Sequence, residues 1–290
     1  MALIEIRGLQ YTYLEGTPFE STALRGVDLT VEEGELLGLV GSTHSGKSTL
    51  LQFINGLKVP RTGAVSVAGI ETSARRADLF RLRQLVGMLF QYAETQLFCQ
   101  TVGEDIEFGP KNYGVGKAEL SNRVREAMDI VGLPSEYRTR DTYALSGGEK
   151  RRAAIAGVLS LKPRVLLLDE PIAGLDPRGR DEILAWIRDV RQREGLTILI
   201  ASNSIQDVAP LLSRVVVMSE GVVIGDGPPE RVLTDEALMR KGGLGSLPTV
   251  ELMRALRALG HDVPLSVFSP AEAATVVARL ASAVDARGIA

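Results

Sequence analysis

The sequence predicts an α/β fold built on a largely parallel sheet, and three observations predict it. Short apolar runs alternate with stretches of helical spacing along most of the chain, the pattern that strand–helix–strand crossovers produce. One run, ELLGLVG at 35–41, leads directly into the glycine-rich turn GSTHSGKST at 41–49. Another, RVLLLDEP at 164–171, closes on two acids.

Taken in order, LIEIRGL near 3–9 and VDLTV at 27–31 read as early strands, and ELLGLVG as a short, buried one. STLLQFING, after the glycine-rich turn, reads as a helix, and VSVAGI (65–70) and VGMLFQ (86–91) as further strands. Residues 92–160 change character: KAELSNRVREAMDIVGL and GEKRRAAIAGVLSL have helical spacing with polar faces, which predicts an inserted helical subdomain. Next come strand RVLLLDEP, helix RGRDEILAWIRDVRQREG (178–195) and strand TILIAS (197–202). VVVMSEGVVIGDG (215–227) reads as a hairpin turned at Glu220-Gly221. Past about residue 230, KGGLGSLP (241–248) reads as a linker and TVELMRALRALG as a helix. A last helix opens at Ser269, Pro270 and Glu272, a capping-box arrangement with proline in the first turn. These terminal helices read either as a packed appendage or as a subunit interface.

Composition bounds the function. The 290 residues carry 45% hydrophobic and 24% charged residues, enough to bury a sizeable core. The net charge of −3 gives no basic footprint for a nucleic acid. A single cysteine, Cys99, excludes a disulfide framework and a cysteine-built zinc site, and fits a cytosolic compartment. No apolar run reaches the roughly 18 residues needed to cross a bilayer, and MALIEIRG has no signal-peptide core. Any service to a membrane would therefore pass through a partner.

The turn at 41–49 meets G-x-x-x-x-G-K-[ST] with Gly41, Gly46, Lys47 and Ser48. In that spacing backbone N–H groups curl around a β-phosphate and the next helix directs its positive end there. Lys47 would reach the β- and γ-phosphates and the Ser48 hydroxyl would ligate Mg²⁺. His44 is the unusual member: if its backbone needs φ > 0, a histidine is strained where glycine is not. Its imidazole would either crowd the phosphates, leave them untouched, or donate to them. In VLLLDEP, Asp169 is placed to hold Mg²⁺ through water and Glu170 to polarise an attacking water. LSGGE at 145–149 sets Ser146, Gly147 and Gly148 at a helix start, either a second anion-binding nest or a plain helix opening.

Together GSTHSGKST, FQ at 90–91, LSGGEKRR, VLLLDEP and AGLD at 173–176 resemble the nucleotide-binding subunits of ABC transporters over residues 1–230. More narrowly, FQYAETQLFCQTVGEDIEFGPKN and LSGGEKRRAAIAGVLSLKPRVLLLDEPIAGLDPRGR resemble the ATPase subunits of energy-coupling-factor (ECF) importers, which include cobalt-, nickel- and vitamin-type systems. The resemblance implies a P-loop NTPase fold: a RecA-like core with an antiparallel β subdomain and a helical subdomain over about 92–160. It implies an ATPase domain over 1–230 and a C-terminal helical region over 231–290 that assists dimerisation.

It further implies that ATP and Mg²⁺ bind, and that two ATPase subunits, identical or different, sandwich each ATP between the phosphate loop of one and LSGGE of the other. The run Gly41, Ser42, Thr43, His44, Ser45, Gly46, Lys47, Ser48 and Thr49 would line the nucleotide. Ser146, Gly147 and Gly148 would face the partner's nucleotide, and Asp176 would act across the dimer. Tyr13 falls where the family stacks an aromatic on adenine, with Tyr11 as its rival. Gln91 would contact Mg²⁺ and the water. The amphipathic ETQLFCQTVGEDIEFG (94–109) would dock a transmembrane coupling protein, itself joined to a substrate-binding membrane subunit, at the cytoplasmic face of the membrane. The family also includes DNA-repair and translation ATPases. Coiled coils, duplicated cassettes and basic insertions mark those, and this chain has none of the three.

Two positions depart from the family. His44 stands where the family shows glycine. Asn203, in LIASNSIQDVA, stands where the family carries a histidine that bonds the γ-phosphate, and neither His44 nor His261 lies near enough in sequence to replace it. Asparagine donates a hydrogen bond but cannot become cationic. The expectation is an ATP site that binds well and hydrolyses slowly, or a nucleotide-gated structural subunit with little ATPase activity.

Overall fold

A computed structural model of the protein describes residues 2–72 and 79–288, with side chains through residue 282; the last two residues of the expected C-terminal region lie outside it. The chain opens with two long strands, β1 (Ala2–Tyr13) and β2 (Ser21–Glu32), then β3 (Leu36–Val40) and helix α1 (Lys47–Ile54). β4 (Thr62–Val67), β5 (Ile70–Glu71), α2 (Leu79–Leu85) and β6 (Val86–Leu89) come after them. VSVAGI is thus not one strand. It doubles back at Ala68 and Gly69, both at positive φ, so that Val67 pairs with Ile70.

Three helices come next: α3 (Val102–Asn112), α4 (Lys117–Ile130) and α5 (Gly147–Leu159). α3 and α5 both begin in capping boxes, Thr101 with Glu104 and Ser146 with Glu149, which satisfy N–H groups that a helix start leaves unpaired. The chain returns through β7 (Val165–Asp169), α6 (Pro177–Glu194) and β8 (Thr197–Ser202). α6 starts on an Asp176 cap with Pro177 behind it and stops at Gly195, φ 62. Short α7 (Ile205–Val208) precedes β9 (Arg214–Ser219) and β10 (Val222–Gly227). These two strands form the expected hairpin, with Glu220 and Gly221 both at positive φ as a two-residue turn requires. α8 (Pro229–Val232), α9 (Glu236–Lys241), α10 (Pro248–Ala258) and α11 (Pro270–Gly288) complete the chain. The Ser269–Glu272 capping box forms as expected, each residue's backbone N–H meeting the other's side chain.

Two sheets result. One is antiparallel, in the order β2-β1-β4-β5; the other runs β10-β9-β3-β8-β7-β6 and is parallel except for β10. β3, β7 and β8 are buried at every residue, as strands covered on both faces must be. Alternate residues of those strands feed two cores. Leu37, Leu39, Leu167 and Leu199 join β1, β2, β4 and α1 between the sheets. Leu36, Val40, Leu168 and Ile200 face the helical side, with α3, α4, α5 and α6.

The stretch 241–248 is not a free linker. Leu244 and Leu247 are buried in the helical-side core with Val232, Leu233, Met239 and Val250. Its glycines make the turn tight: the Gly242 carbonyl accepts the Ser42 N–H at 3.0 Å, at the mouth of the glycine-rich loop. Only past that point does a separate small cluster form, of Met253, Val263, Val267 and Ala273.

Candidate functional site

The glycine-rich loop leaves the carboxyl end of β3 and enters α1, where a parallel sheet presents its ligand crevice. Gly41 and Gly46 are demanded by space as well as by conformation. A Cβ on Gly41 would sit 2.1 Å from the Met218 carbonyl oxygen, and one on Gly46 2.6 Å from that of Ala23. His44 does take φ 66, so its backbone occupies the left-handed region, at a cost of roughly 1–2 kcal/mol for an ordinary L-residue; its side chain is exposed. Ser42 is half-buried, Thr43 exposed, and Ser45 and Thr49 buried.

Lys47 is buried, and its Nζ donates to the Gly41 carbonyl at 2.9 Å, the Ser42 carbonyl at 2.9 Å and Ser45 Oγ at 3.3 Å. It therefore lies folded along its own loop. Burial holds its pKa below the ordinary lysine range, against the pull of Glu170 and Asp169. Ser48 Oγ donates to Asp169 Oδ1 at 3.0 Å, joining the loop to the end of β7. Burial pushes the Asp169 pKa up, against the Ser48 hydrogen bond and the Lys47 charge.

Glu170 is the most constrained member. Its backbone sits at φ 50, and its N–H donates to the Ala201 carbonyl at 2.9 Å. A non-glycine residue held there is strained, and only a fixed surrounding keeps it. Its carboxylate is gripped at both oxygens. Asn203 donates its backbone N–H to Oε1 at 2.8 Å and Ser202 Oγ donates to Oε2 at 3.4 Å. Burial raises its pKa, opposed by that Asn203 N–H and by Lys47. The Asn203 side chain is exposed and makes no hydrogen bond among the described residues. Residue 203 thus serves Glu170 through its main chain, whatever its side chain.

Tyr11 and Tyr13 lie on one face of β1, ring centroids 4.8 Å apart. Tyr11 packs on Phe53 at 5.1 Å; Tyr13 shares a 3.1 Å hydrogen bond with Thr49 in the first turn of α1. Lys58 Nζ stands 4.6 Å from the Tyr11 ring centroid and 4.5 Å from that of Tyr13. Tyr13 is therefore the tyrosine tied to the phosphate loop, while Tyr11 packs against the core.

The structure gathers Gly41–Thr49, Tyr13, Asp169, Glu170 and Asn203 into one site; among the described residues the other expected side chains make no hydrogen bond to these. Gln91 is exposed, and its side chain makes no hydrogen bond among the described residues. Ser146 bonds locally: its N–H and hydroxyl both donate to Glu149 Oε2, at 2.7 and 2.8 Å. Those bonds, with the Tyr137 hydroxyl, hold the Glu149 pKa down at about 2. Gly147 and Gly148 would meet nothing within 4 Å if each carried a Cβ. Asp176 caps α6 by accepting the Gly179 N–H at 2.8 Å and is otherwise exposed. Sequence reasoning did not single out Ser202 or Lys58. Ser202 ends an apolar strand and Lys58 stands just past a helix, and neither position carries a motif.

The ABC transporter family matches residues 24–173. An energy-coupling factor transporter ATP-binding protein, EcfA2, of Clostridium tetani is 44% identical over 267 residues, covering 92% of this chain and 93% of that protein. The protein of the same description from Symbiobacterium thermophilum is 44% identical over 274 residues, covering 94% and 95%. Among solved structures, cbiO1 of Clostridium perfringens, part of the ABC transporter complex cbiONQ, superimposes with a TM-score of 0.73 at 34% identity, covering 90% of this chain and 99% of that one. A dimeric bacterial ABC transporter cassette gives 0.70 at 26% identity, covering 78% and 98%. No helix among the described residues is long and apolar enough to cross a membrane. With the phosphate loop, its acidic partners and these relatives in agreement, the chain belongs to the ABC transporter family, among the ATP-binding, ATP-hydrolysing proteins of energy-coupling factor transporters.

Proposed function

We propose that the chain couples ATP to an ECF-type importer from the cytoplasmic face of the membrane. Two ATPase subunits clasp ATP between Lys47 of one and Ser146 of the other. Closure and hydrolysis then drive a transmembrane coupling protein and its substrate-binding subunit, which carry a vitamin or transition-metal ion. One observation carries this reading. Gly147 and Gly148 occupy the first turn of a helix, where glycine weakens the helix, yet nothing among the described residues needs the space they leave. A phosphate brought by a second subunit explains them.

Within one site the roles follow from the geometry. Lys47 would exchange loop carbonyls for β- and γ-phosphate oxygens, and Tyr13, anchored at Thr49, would present its ring to adenine. Mg²⁺ fits the oxygen donors Ser48 and Asp169, whose buried carboxylate already accepts the Ser48 hydroxyl; Gln91 would join them. When bound, the ion neutralises charge on the phosphates. Glu170, fixed at both oxygens and with its proton affinity raised by burial, would orient the water and take its proton. Asp176 would meet the partner subunit. The exposed aromatic pair Phe98 and Phe108, ring centroids 4.7 Å apart, supports docking of the coupling protein on 94–109.

Hydrolysis at this site is slow in this reading, because Asn203 brings no cationic donor to the γ-phosphate. Loss of one preorganised donor costs roughly 2.7–4 kcal/mol, about 10²–10³ in rate. Asn203→His should raise kcat by about tenfold or more, because the backbone grip on Glu170 does not depend on the side chain. Rapid turnover in the unmodified protein together with no gain in the variant overturns slow hydrolysis. Failure of ATP and Mg²⁺ to pair Glu170→Gln subunits overturns the clasp itself. The exposed, unbonded Asn203 side chain and the strained His44 favour one second reading: a nucleotide-gated structural subunit, which binds ATP equally well but does not gain turnover in Asn203→His.

A further inference from the structure

Arg151 lies on α5, five residues past Ser146, with its side chain only 5% exposed. Its guanidinium touches two other segments. Nη2 donates to the Gln91 carbonyl at 3.4 Å and stands 3.7 Å from the Glu94 carboxylate. Nη1 donates to the Ala173 carbonyl at 3.5 Å. The first segment comes after β6 and contains Gln91; the second comes after β7 and runs from Glu170 to Asp176. One buried cation thus meets two of the stretches that the proposed function uses outside the phosphate loop.

The chemistry suits coupling more than anchoring. A buried guanidinium needs acceptors, because an unpaired one is costly. Here one carboxylate, itself 35% exposed, supplies the counter-charge, and two backbone carbonyls supply the rest. Carbonyl contacts register the position of the main chain. All three distances are near the outer limit of such interactions, so a shift of a few tenths of an ångström in any segment makes or breaks one of them. Arg151 also lines a cavity of about 540 Å³ between α5 and α6, which leaves it room to follow such a shift.

We infer that Arg151 is a positioning residue that couples the Gln91–Glu94 segment to the start of α5 and to the Glu170–Asp176 segment. Movement imposed on 91–94 draws Ser146 and Ala173 with it. The inference rests on the function proposed above for its consequence, but the mechanical link itself is testable without turnover.

Hydrogen exchange on the full nucleotide-free chain supplies that test. In Arg151→Met, amides of 90–96, 146–150 and 172–176 should exchange faster together, while 41–49 stays unchanged; Glu94→Gln should reproduce the effect more weakly. Faster exchange confined to α5, or protection lost across the whole chain in both variants, overturns the coupling. ATPase assays then read its consequence. Arg151→Met should lower kcat by about tenfold with ATP affinity within about twofold of the parent. Arg151→Lys, which keeps the charge but not the fork, should lose about threefold. Glu94→Gln should add little in the Arg151→Met background. Additive losses, or a parallel loss of ATP affinity, overturn the role in catalysis. Coordinated exchange in a parent chain that never turns over ATP would instead sink the proposed function and leave the coupling standing. Should Arg151→Met not fold, Arg151→Lys and Glu94→Gln carry both tests, and unchanged exchange in the pair overturns the proposal.

Discussion

Glu170 shows at the scale of one residue what the site costs the fold. It is buried, strained at φ 50, and its pKa is raised by desolvation. A carboxyl whose folded pKa lies above its unfolded one binds its proton more tightly in the folded state. Its unfavourable contribution is therefore absent at low pH and appears as pH rises from the unfolded value through the folded one. Glu170→Gln keeps both contacts, since the amide oxygen can accept the Asn203 N–H and the amide nitrogen can donate to Ser202 Oγ. At pH 7 the nucleotide-free variant should melt higher than the parent, and the gain should vanish as pH falls below the ordinary glutamate range, about pH 4. A melting point at or below the parent's at pH 7 would contradict a desolvation cost at Glu170. The acids, the lysine and the serine of this site were legible in the sequence because their chemistry fixes their spacing. Ser202 and the backbone N–H of Asn203 were not, because any residue but proline at 203 offers the same N–H and only the fold brings it to Glu170.

Among the elements, α5 has a sequence that conflicts with its own stability at its first turn. Its box of Ser146 and Glu149 is a strong start, and two glycines sit inside it where alanine would be the better helix former. Neither glycine has a positive φ, and neither has a neighbour that a Cβ would strike. Gly147→Ala and Gly148→Ala should therefore leave the chain as stable or raise its stability by up to about 1 kcal/mol. If the proposed clasp holds, the same changes should raise, by about tenfold or more, the ATP concentration that pairs Glu170→Gln subunits, because a Cβ would stand where that proposal brings a phosphate. Sedimentation against ATP concentration measures the second effect and thermal melting the first. Loss of stability with pairing unchanged would mean that the glycines serve the fold. Element types agreed with their periodicity where the pattern was long, as in α6. VSVAGI misled because a two-residue return strand carries no period to read; its Ala68-Gly69 turn is the only local signal.

For the molecule as a whole, the question is where the ATPase core ends. The parallel sheet was legible because each buried strand is apolar throughout, but the packing of the chain past β10 was not. The apolar spacing of 230–250 shows that one face is buried without showing what buries it, and the three glycines of 241–248 suggested an open linker. In the fold, Val232, Leu233, Met239, Leu244, Leu247 and Val250 share a core with β7 and β8, and Gly242 closes on Ser42 of the phosphate loop. Deleting one large core side chain costs about 2–5 kcal/mol. Losing six together is comparable to or larger than the roughly 5–15 kcal/mol that holds a domain, and would also leave the Ser42 N–H in the glycine-rich loop without its Gly242 acceptor. A chain ending at residue 230 should therefore fail to melt cooperatively and fail to bind ATP. A chain ending at 269 loses α11, whose contribution lies with Met253, Val263, Val267 and Ala273 in the separate small cluster. It should stay folded and bind ATP with affinity within about threefold of the full chain, an effect under about 0.7 kcal/mol. Circular dichroism melts and nucleotide titrations on the two truncations decide the matter: cooperative melting and ATP binding by the shorter one would show that the sheet closes its own core and that the segment packed on it is dispensable.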